Sequence, residues 1–216
     1  MLRLELGARG RPLRLLCLGA HSDDLEIGCA GTILEWLAAY PGLEVTWVVM
    51  SAVGERAAEA ERSARVLLEE AGRKNVVLHA LADGYFPAHF AAAKEAFEAL
   101  KQTVDPDVIL THRLEDRHQD HRLVAELTWQ TWRRHLILEY EVPKYEGDLG
   151  QPNLFVPVSE PVSRRKVDHL MRQFGSQRGR DWFAPPTFLG LMQLRGVECR
   201  SPSGFAEAHY LRKGML

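Results

Sequence analysis

Leu13-Arg14-Leu15-Leu16-Cys17-Leu18-Gly19-Ala20-His21-Ser22-Asp23-Asp24 runs from an apolar stretch of strand length directly into a histidine and two carboxylates. A second run repeats the design: Asp107-Val108-Ile109-Leu110-Thr111 is followed within a few residues by His118-Gln119-Asp120-His121. Apolar runs of this length, separated by longer segments of helical period, are the pattern of a parallel sheet covered by helices. In such open sheets, ligands bind outside the carboxyl ends of the strands. Both polar runs are placed there. Two histidines and a carboxylate meeting at that edge suit Zn²⁺ with one coordination position left for water, which implies hydrolysis.

Working outward, the order reads βαβαβαβαβ. The first helix is expected over 30–40, with apolar residues at Ile33, Leu34, Leu37 and Ala38 and a stop at Pro41-Gly42. Strand 43–50, helix 56–71, strand 75–80, helix 90–101, a fourth strand after Pro106, helix 122–133 and strand 136–138 follow. Beyond Tyr140 the pattern changes to a Pro- and Gly-dotted stretch and then two helices, 162–174 and 187–196. The expected fold class is α/β, a mostly parallel sheet covered by helices. Residues 1–216 form one domain, with a core over about 13–140 and an α-rich cap over about 141–216.

Composition narrows the partners. The 216 residues are 46% hydrophobic and carry 27 Lys and Arg against 29 Asp and Glu. That balance argues against nucleic acid and favours a small neutral ligand. No run of 18 apolar residues occurs, and Met1-Leu2-Arg3-Leu4-Glu5-Leu6-Gly7 has no sustained apolar core, so a cytoplasmic protein away from the membrane is expected. Cys17, Cys29 and Cys199 are odd in number and far apart, which fits buried thiols rather than a disulfide framework.

The first βα turn also excludes a dinucleotide. Where a G-x-G-x-x-G cradle would lie, Asp23 and Asp24 would repel a pyrophosphate. The turn suits a cation. Gly28 and Gly31 are read as the structural start of the first helix. If Asp24 joins His21 and His121 on the metal, Asp23 is left beside the open position as a general base, acting on water whose pKa the metal lowers to about 7. His118, three residues before His121, faces the same cavity, where it stabilises an oxyanion or protonates a leaving amine. Asp120 orients a histidine from behind or caps the helix that follows.

The stretch Ala20-His21-Ser22-Asp23-Asp24-Leu25-Glu26-Ile27-Gly28-Cys29-Ala30-Gly31-Thr32 resembles the Ala-His-Pro-Asp-Asp signature of the LmbE-like (PIG-L) deacetylases. His118-Gln119-Asp120-His121 resembles their His-Pro-Asp-His signature. The resemblance implies a Rossmann-like three-layer α/β sandwich and a zinc-dependent amidohydrolase that removes acetyl groups from N-acetylglucosamine-type sugars or sugar conjugates. It implies metal ligands at His21, Asp24 and His121, a base at Asp23, an electrostatic catalyst at His118 and an assembly larger than a monomer. Arg56-Ala57-Ala58-Glu59 is similar to the family's Arg-x-x-Glu element, which places Arg56 on sugar or phosphate groups of the substrate. Ser22, Leu25 and Ala30 depart from the usual proline, glutamate and glycine. Asp-Asp-x-Glu-Ile-Gly is a form seen in the bacillithiol-pathway branch, which makes Glu26 a residue supporting the ligands. The expected reaction is attack of metal-bound hydroxide on an acetamide carbonyl, giving acetate and an amine.

The same ligand set also accommodates Fe²⁺. Two other functions fit the sequence: a metallohydrolase of a non-sugar amide or thiol conjugate, and a non-catalytic sugar- or nucleotide-binding module on the same fold. His112 is read as a strand-end histidine paired with backbone. His79, His89, His135, His169 and His209 are read as structural, and the Trp129/Trp132 and Trp182/Phe183 pairs as packing residues. Glu139 and Glu141 face either the cavity mouth or solvent. Arg178, Arg180 and Arg195 are assigned to the surface, and Gly204 to His209 to a segment able to close over the site.

Overall fold

The computed structural model describes residues 4–7 and 10–215. Met1, Leu2 and Arg3, the head of the stretch read as lacking an apolar core, lie outside the described residues. The chain runs β1 (Arg14–His21), α1 (Asp24–Ala39), β2 (Glu44–Ser51), α2 (Glu55–Leu67), β3 (Arg73–Leu78), α3 (Phe90–Thr103), β4 (Val108–Thr111), α4 (Gln119–Thr131) and β5 (Leu136–Tyr140). It continues with β6 (Leu154–Val158), α5 (Glu160–Gln173), α6 (Pro185–Cys199) and β7 (Phe205–Leu211). One seven-stranded sheet has the order β3-β2-β1-β4-β5-β7-β6. The first five strands are parallel, and β7 pairs antiparallel with β5 and β6.

Alternation along β1 builds two cores. Leu15 and Cys17 enter one with residues of α1, α2, α5 and α6, whereas Leu16, Leu18 and Ala20 enter the other with residues of α3 and α4. Both faces are therefore buried, which explains why β1 reads as a continuous apolar run. The chain winds from β1 to β2 and β3 on one side and from β4 to β5 on the other. The crevice between β1 and β4 is thus the topological switch point, where side chains from both strand ends can converge.

The α/β class and mostly parallel sheet stand as expected, and the differences are local. Helix α1 begins at Asp24, six residues earlier than periodicity indicated. Gly28 and Gly31 lie inside it because its backbone packs tightly. A Cβ on Gly28 would sit 2.2 Å from the Tyr140 ring, and one on Gly31 2.8 Å from Glu207 Oε1. The C-terminal stretch supplies the two expected helices and also two strands that extend the sheet. Gly204 to His209 does not close over the site, because 205–209 belong to β7. There Glu207 accepts backbone N–H bonds from Gly31 and Thr32 at 2.8 and 2.6 Å and a 2.6 Å bond from Lys166. Arg195 is not on the surface: it is 4% exposed and forks onto Glu141 at 2.7 and 2.9 Å. Glu139 and Glu141 are buried, not solvated. Among the described residues no helix is long and apolar enough to cross a membrane, and Cys17, Cys29 and Cys199 are free and buried.

His209, fully buried with Nε2 2.9 Å from Thr32 Oγ1, gives a pH-dependent contribution to stability. Burial drives its pKa from 6.5 to about 4. Between those values the unfolded chain binds the proton and the folded one does not. The stabilising term is therefore whole above pH 6.5 and is lost as pH falls to 4, by about 3 kcal/mol at most. In His209→Gln, denaturant titrations should show a smaller loss of stability from pH 6.5 to 4 than in the wild type. An equal loss would contradict the assignment.

Candidate metal centre

His21 closes β1 and Asp24 opens α1, so one tight turn delivers both to the β1/β4 crevice. His121 arrives from the first turn of α4. Three donor groups meet there. His21 Nδ1 lies 3.2 Å from His121 Nε2 and 3.3 Å from Asp24 Oδ2, and His121 Nε2 lies 3.4 Å from Asp24 Oδ1. Tetrahedral zinc with bonds of about 2.0–2.1 Å has donor–donor edges of about 3.3 Å, and each of these separations is of that order, the two to Asp24 being measured to different carboxylate oxygens. All three residues are buried.

Each imidazole is held from behind by a carboxylate, the arrangement that fixes tautomer and ring orientation in metal sites. His21 Nε2 is 3.2 Å from Asp120 Oδ2 and 3.1 Å from Asp83 Oδ1. His121 Nδ1 is 3.1 Å from Asp116 Oδ2. Asp120 is itself fixed by N–H donors, Gly84 at 2.6 Å and Phe86 at 3.1 Å. Asp116 accepts from His118 N–H at 2.8 Å and from Lys144 Nζ at 2.9 Å. Asp120 therefore contacts a histidine, but it does not cap α4. That helix starts one residue earlier, with His118 at its N-cap.

The electrostatics are those of a cation site. Burial opposes ionisation of Asp24, yet His121, His112 and His21 hold its pKa well below the ordinary carboxylate value. Burial likewise opposes charge on His121, and Asp24 with Asp116 lifts it to about 9. His21 is raised well above 6.5 against burial, chiefly by Asp24 and Asp120. Protons on these two rings answer the surrounding carboxylates, and a divalent cation would replace them.

Asp23 sits at the N-cap of α1 without using its side chain to cap the helix, the usual role of Asp there. It is turned instead to Arg56, whose guanidinium donates to Asp23 Oδ1 at 3.0 Å and to Asp83 Oδ2 at 3.3 Å. Burial and the neighbouring Asp24 raise the Asp23 pKa, with Arg56 and His21 pulling against them. The His118 ring lies 4.9 Å from the His21 ring and 4.6 Å from the His121 ring, centre to centre. Its Nδ1 accepts from Asp120 N–H at 3.3 Å, so neutral His118 carries its proton on Nε2. Burial, then His121 and His21, lower its pKa.

Glu26 is brought to a different place. Two residues after Asp24 it faces away from the candidate donors, because positions i and i+2 of a helix do not share a face. Its carboxylate accepts from Ser63, whose hydroxyl is 2.7 Å from His169 Nε2. His112 has the expected backbone contact, from Ala20 N–H at 2.9 Å. It is also stacked on His121 with Nε2 3.1 Å from Asp24 Oδ2, so it buttresses two of the three candidate donors. Asp116, Asp83 and Lys144 also belong to the site, although none lies in the two motif runs. Asp116 had one readable signal, a carboxylate two residues before His118.

Comparison with known proteins places the chain in a family. The signature of the PIG-L family, described as GlcNAc-PI de-N-acetylase, matches residues 16–132, more than half of the sequence. The chain belongs to the PIG-L family. The matched part of this family member carries β1 to β4 and nearly all of the site. Solved structures similar to it include the N,N'-diacetylchitobiose deacetylase of Pyrococcus horikoshii, 20% identical with a TM-score of 0.72, over 94% of this chain and 84% of that one. The 4-carboxy-2-hydroxymuconate hydratase GalB of Pseudomonas putida is 17% identical with a TM-score of 0.75, over 94% and 98%. An A40926 pseudoaglycone deacetylase is 16% identical with a TM-score of 0.68, over 93% and 97%. At these identities the shared property is the fold.

Asp116 gives the arrangement a test. Asp116→Ala frees His121 Nδ1, and zinc affinity measured by competition with a chelating dye should fall roughly 10–100-fold. Unchanged affinity would show that His121 needs no support or is not a ligand.

Proposed function

We propose that this PIG-L family protein is a metal-dependent N-deacetylase of an N-acetylated sugar or sugar conjugate. The observation that carries the reading is the His21, Asp24 and His121 triangle with Asp23 and His118 beside it, in a chain of a family described by a de-N-acetylase. Two structural neighbours are deacetylases by description, which supports the same reaction. A zinc ion held by the three donors would supply Lewis acidity, polarising the acetamide carbonyl and acidifying water.

The protein's own groups do the rest. Asp23 is buried and turned to Arg56, while Asp24 faces His21 and His121. Arg56 fixes its Oδ1, and its other oxygen takes the proton of the attacking water. The raised pKa of Asp23 makes it a better proton acceptor than an exposed carboxylate. Neutral His118 presents its Nε2–H to the developing oxyanion and keeps that proton, while the proton Asp23 has taken from water passes to the departing nitrogen, so the amine leaves neutral. The bonds formed and broken are carbonyl C–O and C–N, and the products are acetate and the free amine. Arg56 serves Asp23 and Asp83 before any substrate, so its role here is to place the base.

One neighbour of this fold is a hydratase by description, so addition of water to a C=C bond is the competing reaction. Acetate release from N-acetylglucosamine glycosides separates the two. Asp23→Asn, with the donor triangle intact, should keep metal and lose roughly 10²–10⁴-fold in kcat. Near-normal turnover in that variant would remove Asp23 from the base role.

A further inference from the structure

Helix α1 carries Asp24 at its first position and is gripped about one turn later by a buried ion pair. Lys166 of α5 and Glu207 of β7 are both buried, with Lys166 Nζ 2.6 Å from Glu207 Oε1. Each also bonds the backbone of α1. Lys166 Nζ donates to Ile27 O at 2.6 Å, and Glu207 accepts the Gly31 N–H at Oε1 and the Thr32 N–H at Oε2, at 2.8 and 2.6 Å. In an undisturbed α-helix Ile27 O and the Gly31 N–H would be partners of each other alone. Here both ends of that ladder bond face the ion pair. Side chains inserted at the ladder in this way are among the few causes of bending in helices.

The pair reaches the His21–Asp24 turn by a short path. Ile27 N–H donates to Asp23 O at 3.0 Å, so Lys166, the Ile27 backbone and Asp23 are joined by consecutive hydrogen bonds. Tyr140 meets α1 at Gly28, three residues before Gly31 and on the same face. Stability does not account for the pair. Both ions lose water on burial, and apolar residues of similar volume commonly serve such a place as well or better. Phe188, Leu191, Met192 and Ala208 line the cavity beside it, so apolar replacements would have apolar neighbours. What apolar side chains cannot do is hold Ile27 O and the Gly31 and Thr32 N–H groups.

We propose that Lys166 and Glu207 are positioning residues that set the winding of the first turns of α1, and through it the placement of Asp24 against His21 and His121. This rests on the metal-site reading above and deepens it. With both charges removed, the Gly31 N–H and Ile27 O have only each other, so α1 stays helical while its first turn shifts. A misplacement of about 1 Å is enough to cost a site of this kind roughly 100-fold in function.

The test is the double variant Lys166→Met/Glu207→Leu, which leaves neither charge unpaired. Glu207→Gln, which keeps the shape and removes the ion pair, takes its place if the double variant does not fold. Zinc affinity, measured by competition with a chelating dye, should fall roughly 10–100-fold, as when a ligand loses its support. The unfolding midpoint of the zinc-free protein should stay close to that of the wild type, and a crystal structure of the zinc-free variant should show the Asp24 carboxylate moved from His21 and His121 by about 1 Å. A role in stability alone predicts a lowered midpoint with Asp24 in place and affinity unchanged. Unchanged affinity, an unmoved Asp24, or failure of both variants to fold would overturn the proposal. If the wild type itself binds no zinc, the metal-site reading fails on its own. The zinc-free crystal structures of wild type and variant then decide the pair: a displaced Asp24 supports it, and an unmoved one overturns it.

Discussion

The attraction between the Asp24 carboxylate and the imidazoles of His21 and His121 organises this molecule. A carboxylate buried at a strand end is costly unless cations or strong donors surround it. Here the His21 N–H of the backbone donates to Asp24 at 2.6 Å, and His112 buttresses it from the sheet. Asp83, Asp116 and Asp120 then answer the imidazoles from outside. The result is a layered arrangement of alternating charge centred on the proposed metal position.

That arrangement requires the fold's geometry. Only at the switch point do strand ends diverge enough for β1, β4 and α4 to contribute to one cavity without crossing chains. The packing behind it is equally specific. The Gly28 backbone rests against the Tyr140 ring, and the Tyr140 hydroxyl donates to Leu18 O at 2.8 Å and lies 3.1 Å from His112 Nε2. A side chain at position 28 would push the first turn of α1, and with it Asp24, away from the histidines. The site and the core are thus coupled through a single aromatic ring.

Much of this was readable from the residues in order, because the chemistry lies in two short runs attached to strongly apolar strands. His21, Asp23, Asp24, His118 and His121 stand together in space as their spacing implied. What escaped the reading depends on contacts between distant segments. Helix α1 seemed to start late because two glycines mimic a break, and only Tyr140 and Glu207 explain them. β6 carries Pro157 and β7 alternates polar with small residues, so neither has the signal of a buried strand. Asp116 lies among Arg113, Glu115 and Arg117, a setting that reads as solvated loop until His121 and Lys144 are seen beside it. Arg195 looked like surface charge because its partner Glu141 is far away in sequence.

The central claim is that His21, Asp24 and His121 hold one catalytic divalent ion. Elemental analysis of the purified protein after equilibration with zinc, beside Asp24→Ala treated identically, tests it without any assumption about substrate. The account predicts close to one metal ion per chain in the wild type and a large loss in the variant. A wild type that retains no zinc or iron, or a variant that retains as much as the wild type, would contradict it.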